Sequence, residues 1–500
     1  MKIVEEAISY WKFKSKEWQP LDRLVIPLIG GLFILIFFLT IFGKNAAPRV
    51  REFSWQDRTI AANDRSFILQ FSHPMDRESV ENNLKIDPSL SGKFSWAGRR
   101  MAYTLNKPAP YGTDFTVKIE GARDRYSEER QGAIIKPFTG NFTSRDRAFA
   151  YIGSEGEQAG RLILYNLTQN QQEILTPANL VVMDFESYPD RQHILFSARE
   201  NNDGDPEQIT AQKLYTATTG LDSTENPGIV EQILDNETYQ NLNFDLSADG
   251  AAIVVQRVNQ NDPRDFGLWI IPENEDPYPM NNKPGGDFLI TPDSQAIAIL
   301  QGEGVALIPL YPDEDQPADK PLLFLPKFGQ ILNFTPDGSE AAMVKFNPDY
   351  TRSLYLVDNQ GNEKELLNLK GSIQQCQFDP TQTTLYCLLS KLIDGDIYQE
   401  LPYISIINLE TNEQTPLVGI PNQRNIQMSL SPDGLALLFD QIQAEGESPE
   451  AASSLNEDGQ AIASSNLWIL PILDVQSLSQ GAQAEPEILP LKGFRPQWLP

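Results

Sequence analysis

The chain is poor in the residues that do acid–base, nucleophilic or metal chemistry. Its 500 residues include 2 histidines and 2 cysteines: His73, His193, Cys376 and Cys387. A His-containing triad would have to use one of two imidazoles that fall in different expected domains. His73 precedes Pro74 and His193 opens an expected strand, so both read as turn or surface residues. No G-x-S-x-G elbow, H-E-x-x-H helix, phosphate loop or dinucleotide loop occurs. Positive charge is also scarce, with 40 Lys and Arg against 68 Asp and Glu and a net charge of -28. Such a field repels DNA, RNA and anionic lipid, which are bound through basic patches. No nucleic-acid partner, no cofactor, no metal site and no catalytic residue is therefore expected. The 68 acids make a glycosidase-like carboxylate pair easy to find by chance, and no particular pair stands out.

One long apolar run is present. Leu24 to Phe42, LVIPLIGGLFILIFFLTIF, carries no charge, and a helix of that length rises roughly 28 Å, close to the hydrocarbon thickness of a bilayer. A transmembrane helix over 24–43 is expected, behind a leader of residues 1–23. The leader is long and polar for a signal peptide and the flank lacks a clean A-x-A site, so the helix reads as an uncleaved anchor. Lys2, Lys12, Lys14, Lys16 and Arg23 before the run are nearly balanced by Lys44, Arg49, Arg51, Arg58 and Arg65 after it. The expectation is a single-pass membrane protein of a bacterial inner membrane, with its C-terminal domains in the periplasm or an equivalent lumen.

Between 47 and 137 the period changes to two. Ser66–Phe71, Arg100–Leu105 and Asp114–Ile119 alternate polar and apolar residues between Gly and Pro turns, which predicts a small β-sandwich. FSHPMDRESV at 71–80, SGKFSW at 91–96 and PAPYGTDFTVKIEGARD at 108–124 resemble the bacterial Ig-like domain of envelope proteins. That resemblance implies a spacer or adhesive module.

From 138 onwards one turn recurs. It appears as Ser247-Ala248-Asp249-Gly250, Thr291-Pro292-Asp293-Ser294, Thr335-Pro336-Asp337-Gly338 and Ser431-Pro432-Asp433-Gly434, and in weaker forms at 142–146, 188–191 and 379–382. Strand formers follow each copy, for example Ile297-Ala298-Ile299-Leu300 and Leu437-Leu438-Phe439. Pro sets the turn entrance, Asp bonds the backbone two residues on, and Gly accepts a positive φ. The Asp residues are thus read as turn formers. Units of 40–65 residues built from short strands are the signature of a β-propeller over 138–500, with seven blades visible and six or eight open as alternatives. SPDGLALLF, TPDGSEAAMVKF and the Leu-Trp-Ile or Leu-Tyr-Leu strands resemble the TolB-type, WD40-like propeller repeat. The C-terminal strand around Phe494 to Trp498 would complete the first blade. The fold class expected is all-β after an N-terminal transmembrane helix.

Three local features remain. Asn201-Asn202-Asp203-Gly204-Asp205-Pro206-Glu207 offers oxygen donors but lacks the EF-hand spacing, so it reads as an acidic loop, and Asp394-Gly395-Asp396 is weaker still. Residues 441–465 have little to pack and read as an acidic insertion between strands of the last repeat. Cys376 and Cys387 flank the turn at 379–382. Folding that hairpin about Thr381 makes them near neighbours, either as a disulfide or as two core-facing thiols.

An anchor, a spacer and a broad rigid surface together suggest a non-catalytic interaction scaffold or assembly factor, tethered to the membrane by Leu24 to Phe42 and partnered with a membrane or envelope protein. The alternatives are a receptor for a small ligand or glycan in the propeller's central channel, and a hydrolase with an unrecognised carboxylate site.

Overall fold

The computed structural model describes residues 22–43, 47–125, 132–200, 211–283, 285–312, 316–393, 395, 399–421, 423, 425–444, 462–472 and 485–500. The leader up to residue 21, the acidic loop at 201–207, Asp394 and Asp396, and 445–461 of the acidic insertion lie outside the described residues. Among the described residues nine four-stranded sheets account for almost all of the regular structure.

Two of these sheets are built from residues 50–144. One has the order Val50–Phe53, Ser66–Phe71, Arg100–Leu105, Gly92–Ala97; the other has Thr59–Ile60, Phe138–Ser144, Asp114–Ile119, Leu84–Asp87. Two-residue periodicity decides their faces: Phe67, Leu69 and Phe71 are buried while Ser66 and Ile68 are exposed, and Phe115, Val117 and Ile119 repeat the pattern.

The other seven sheets follow in chain order. Their first strands are Leu180–Ser187, Tyr239–Leu246, Phe288–Ile290, Gln330–Phe334, Gly371–Phe378 and Met428–Leu430 for the second to seventh sheets. In the first sheet that place is taken by the last strand of the chain, Gly493–Trp498, which pairs antiparallel with Ala148–Gly153. Each sheet is apolar on both faces in its middle strands, so each needs a neighbour on either side. Phe196 and Ile152 share one cluster between the second and first sheets, and Leu195 and Val255 another between the second and third. Trp498, Phe149 and Leu438 join the seventh sheet to the first.

The recurring turn closes the hairpin between the first two strands of most of these sheets, and the hydroxyl at its first position is as important as its Asp. Thr291 Oγ1 donates to Asp293 Oδ1 at 2.6 Å and accepts from the Ala296 N–H at 3.0 Å, while Gln295 N–H donates to Asp293 Oδ1 at 3.1 Å. Ser247 with Asp249 and Thr335 with Asp337 repeat this network. The Ser339 hydroxyl is first among the donors that hold Asp337 down at about 2. Neighbouring turns also nest. A Cβ on Gly250 would meet Pro189 of the preceding turn at 3.2 Å, and one on Gly434 would meet Pro380 at 2.9 Å.

Cys376 and Cys387 stand directly opposite in the sixth sheet and are joined by a disulfide, their Cα atoms 4.1 Å apart. Both are fully buried.

Several expectations need correction. Asp22–Gly43 is an α-helix of 22 residues with Pro27 inside it. Among the described residues no helix is long and apolar enough to cross a membrane. The anchor at Leu24 to Phe42, the single-pass inner-membrane placement with periplasmic domains, and the membrane or envelope partner argued from that anchor all fall with it. The Ig-like sandwich over 47–137 is not a self-contained body. The contacts divide the chain into one unit holding 66–106, 115–141 and the residues up to 57, and a larger one holding 58–65, 107–114 and 142–500. Residues from inside the expected sandwich thus belong with the larger unit, and Thr59–Ile60 pairs in parallel with the far end of Phe138–Ser144. The propeller assignment is likewise withdrawn to a coarser statement. Among the described residues the architecture is all-β, made of separate four-stranded sheets, antiparallel but for that one pair, and none of them closes or curls upon itself.

Candidate functional site

The first strands of the seven-sheet unit are edge strands, so their outward N–H and C=O groups need partners from outside their own sheet. Side chains of neighbouring first strands supply them. Gln375 Oε1 accepts the Met428 N–H at 3.1 Å while its Nε2 donates to Met428 O at 3.0 Å, and Gln377 Oε1 accepts the Leu430 N–H at 2.7 Å. Ser429 Oγ accepts the Trp498 N–H at 3.0 Å. Asp245 Oδ2 accepts the Ile290 N–H at 2.5 Å. Glu186 Oε2 and Asp245 Oδ1 crowd onto a single donor, the Leu246 N–H, at 3.0 and 3.1 Å. Burial first, then the Asp245 charge, pushes Glu186 well above the ordinary carboxylate range, and burial lifts Asp245 to about 6.

These strands are also bulged. The pairing register shifts between Val182 and Asp184, Asn241 and Phe244, Ile331 and Asn333, Ile373 and Gln375, and Phe494 and Gln497. A bulge re-aims the side chain beside it. Asp184, Gln375 and Gln497 follow such shifts, and all three line one cavity of about 360 Å³.

The cavity wall comes from four sheets and combines opposite charges with amides. Asp184 of the second sheet pairs with Arg495 of the last strand, Nη2 to Oδ1 at 3.1 Å, and the same Asp184 oxygen accepts its neighbour's N–H at 2.8 Å. Gln375 and Gln377 face it from the sixth sheet, Ser429 from the seventh and Gln497 from the first. The amides of Gln375 and Gln377 are committed to backbone, whereas Gln497 Oε1 is buried and has no hydrogen-bond partner among the described residues. Beneath the wall lies Asp440, with no exposed surface. Its Oδ1 accepts the Gln427 N–H at 2.8 Å and its Oδ2 the Arg495 N–H at 2.7 Å. Burial nevertheless raises its carboxyl to about 7.

The structure does not gather the scarce chemical residues that the sequence singles out. His73 Nδ1 bonds Ser72 Oγ at 2.9 Å in the smaller unit, and His193 packs edge-on to Tyr188 in the second sheet. Cys376 and Cys387 are consumed in their disulfide. Among the described residues no group of three or more His, Cys, Asp and Glu could hold a metal ion. Asp184, Asp440, Arg495 and Gln497 were missed by the sequence reading. The one available signal was Arg495-Pro496, since a proline inside an apparent strand marks a bulge or an edge.

No family model matches the chain, and no curated protein matches it. Solved structures match it distantly. TolB from Acinetobacter baumannii is 12% identical, with 84% of this chain and 83% of that one covered and a TM-score of 0.39. An oligogalacturonate lyase in complex with manganese is 11% identical, with 74% and 100% covered and a TM-score of 0.44. A putative 6-phosphogluconolactonase from Bacteroides fragilis is 12% identical, with 71% and 98% covered and a TM-score of 0.41. Likeness this distant carries neither an anchor nor a sandwich over to this chain, so the expected membrane-anchored Ig-like and TolB-type fusion is withdrawn. It favours neither enzymes nor non-enzymes.

Proposed function

We propose that the chain is a non-catalytic binding protein that takes a small, uncharged, hydroxyl-rich ligand, such as a mono- or disaccharide, in the cavity between the first strands. The observation that carries this reading is the meeting of the Asp184–Arg495 pair and the unpartnered Gln497 carbonyl in one 360 Å³ space. Pockets of this size hold ligands of that class. A carboxylate, a guanidinium and an amide carbonyl together offer acceptors and donors at hydroxyl spacing, while the paired charges leave no net charge to attract an ion. Turnover is not part of the reading, because Asp184 is engaged by Arg495 and its neighbour's N–H, and the one wall hydroxyl among the described residues, Ser429, accepts the Trp498 N–H.

Ligand-observed NMR of the full chain with glucose, maltose and sucrose tests this. Saturation transfer to at least one sugar, abolished in Asp184→Ala and with the sugar recovered unaltered, is expected. Absence of transfer for every sugar would overturn the binding role, and a cleaved sugar would overturn its non-catalytic character.

A further inference from the structure

Arg495 reaches the cavity by an unusual route. Its φ is +53°, in the left-handed region, and the register shift between Phe494 and Gln497 takes Arg495 and Pro496 off the ladder of the first sheet. Pro496 has no N–H to offer, and the Arg495 N–H has lost its partner in the ladder. A left-handed bulge in a bulky residue persists only where its surroundings over-determine it. Here the constraint is the Asp440 carboxylate, which takes that N–H at 2.7 Å. Asp440 sits in Ala436–Ala444, the second strand of the seventh sheet, opposite Leu467. Its other oxygen takes the Gln427 N–H, and its own N–H donates to Gln427 O at 3.2 Å. One carboxylate with no exposed surface therefore ties together two segments that both line the cavity.

We propose that Asp440 is a positioning residue of this cavity: it touches no ligand, but it holds the Arg495 bulge so that the guanidinium meets Asp184 in the geometry that binds. The inference rests on the binding role proposed above. Two N–H donors converging on two oxygens need a carboxylate. An amide offers one acceptor and sets its NH₂ against the second donor, and a protonated carboxyl likewise gives up part of its accepting capacity. The charged groups facing Asp440 are the Arg495 guanidinium, which favours the ionised form, and beyond it Asp184, which neutralises that guanidinium. Burial outweighs both N–H bonds and lifts the carboxyl to about 7, so the clamp changes state near neutrality. The ionised form holds both segments, so the binding geometry is complete above that pH and weakens below it.

The test uses full-length protein labelled with ¹⁵N-Arg and ¹⁵N-Gln, observed from about pH 5.5 to about pH 8.5, with maltose as the probe. The backbone N–H signals of Arg495 and Gln427 are expected to titrate together with one midpoint near 7. Maltose affinity should rise about tenfold across the same range, the equivalent of one charge-assisted hydrogen bond. In Asp440→Asn the shared titration and the pH dependence of affinity disappear, and affinity at pH 8 falls by a similar factor. Signals that do not titrate together, or an Asp440→Asn protein with the parent affinity and pH profile, would overturn the proposal. If Asp440→Asn fails to fold, the parent titration decides alone. If maltose binds at no pH, the binding role fails separately: coincident titration then supports the positioning role, and pH-independent signals refute it.

Discussion

At Gly434 two demands fall on one residue. Its φ of +72° is strained for any residue with a Cβ, and a Cβ there would sit 2.9 Å from Pro380 Cδ in the neighbouring turn. Gly434→Ala should therefore destabilise the chain by about 1–2 kcal/mol, read as a lower midpoint in urea, whereas Gly361→Ala, with open space around its Cβ, isolates the backbone cost alone. A change no larger at 434 than at 361 would deny the nesting of adjacent turns. The carboxyl pair Glu186 and Asp245 gives a second expectation at this scale. Both groups titrate above their ordinary range in the fold, so the unfolded chain holds fewer protons than the native one between about pH 4 and pH 6. The stability this pair contributes is complete below about pH 4 and is lost as pH rises through about 6. Glu186→Gln removes one competing charge from the Leu246 N–H. It should become more stable relative to the parent as pH rises, by on the order of 1–2 kcal/mol between pH 4 and pH 8, measured by urea unfolding. A pH-independent difference would contradict the shared donor.

At the scale of elements, the disulfide and the last strand are the two devices that tie strands together, one locally and one across the whole chain. Cys376–Cys387 closes a short hairpin, so its reduction should lower stability by about 2–3 kcal/mol, checked by denaturation with and without reductant. The last strand matters differently, because it brings Phe494, Trp498 and Leu499 into clusters otherwise formed by the first, second and seventh sheets. Trp498→Ala should cost about 3–5 kcal/mol, and the loss should appear as unfolding of the whole larger unit rather than of its end. This is also where the limits of sequence reading show. The turns were legible because Ser or Thr, Pro, Asp and Gly act on backbone within five residues of themselves, and hairpin register placed Cys376 opposite Cys387 by counting alone. Strand periodicity exposed Phe67, Leu69 and Phe71 for the same reason. The role of the turn hydroxyls, such as Thr291, was overlooked although it is equally local. The span at Leu24 to Phe42 rested on hydropathy alone.

At the scale of the molecule, the site was illegible because nothing local announces it. Asp184, Gln375, Ser429 and Arg495 lie far apart in the chain and meet only because bulges re-aim side chains on strands brought together by sheet packing. In the sequence Asp184 and Asp440 are two of 68 acids. Their environments separate them: one is half exposed and ion-paired, the other has no surface and holds two N–H groups. The same packing gives the edge strands their partners, so the groups that build the wall and those left to meet a ligand are sorted by tertiary structure alone.

The claim that this wall is a binding site is tested most directly by isothermal titration of the full chain with maltose, in parallel with Asp184→Ala and Arg495→Gln. The account expects saturable, one-site binding by the parent and a loss of about tenfold or more in each variant, since each removes one side of a charge-assisted contact in the cavity wall. No saturable binding by the parent, or binding that survives both substitutions unchanged, would contradict it.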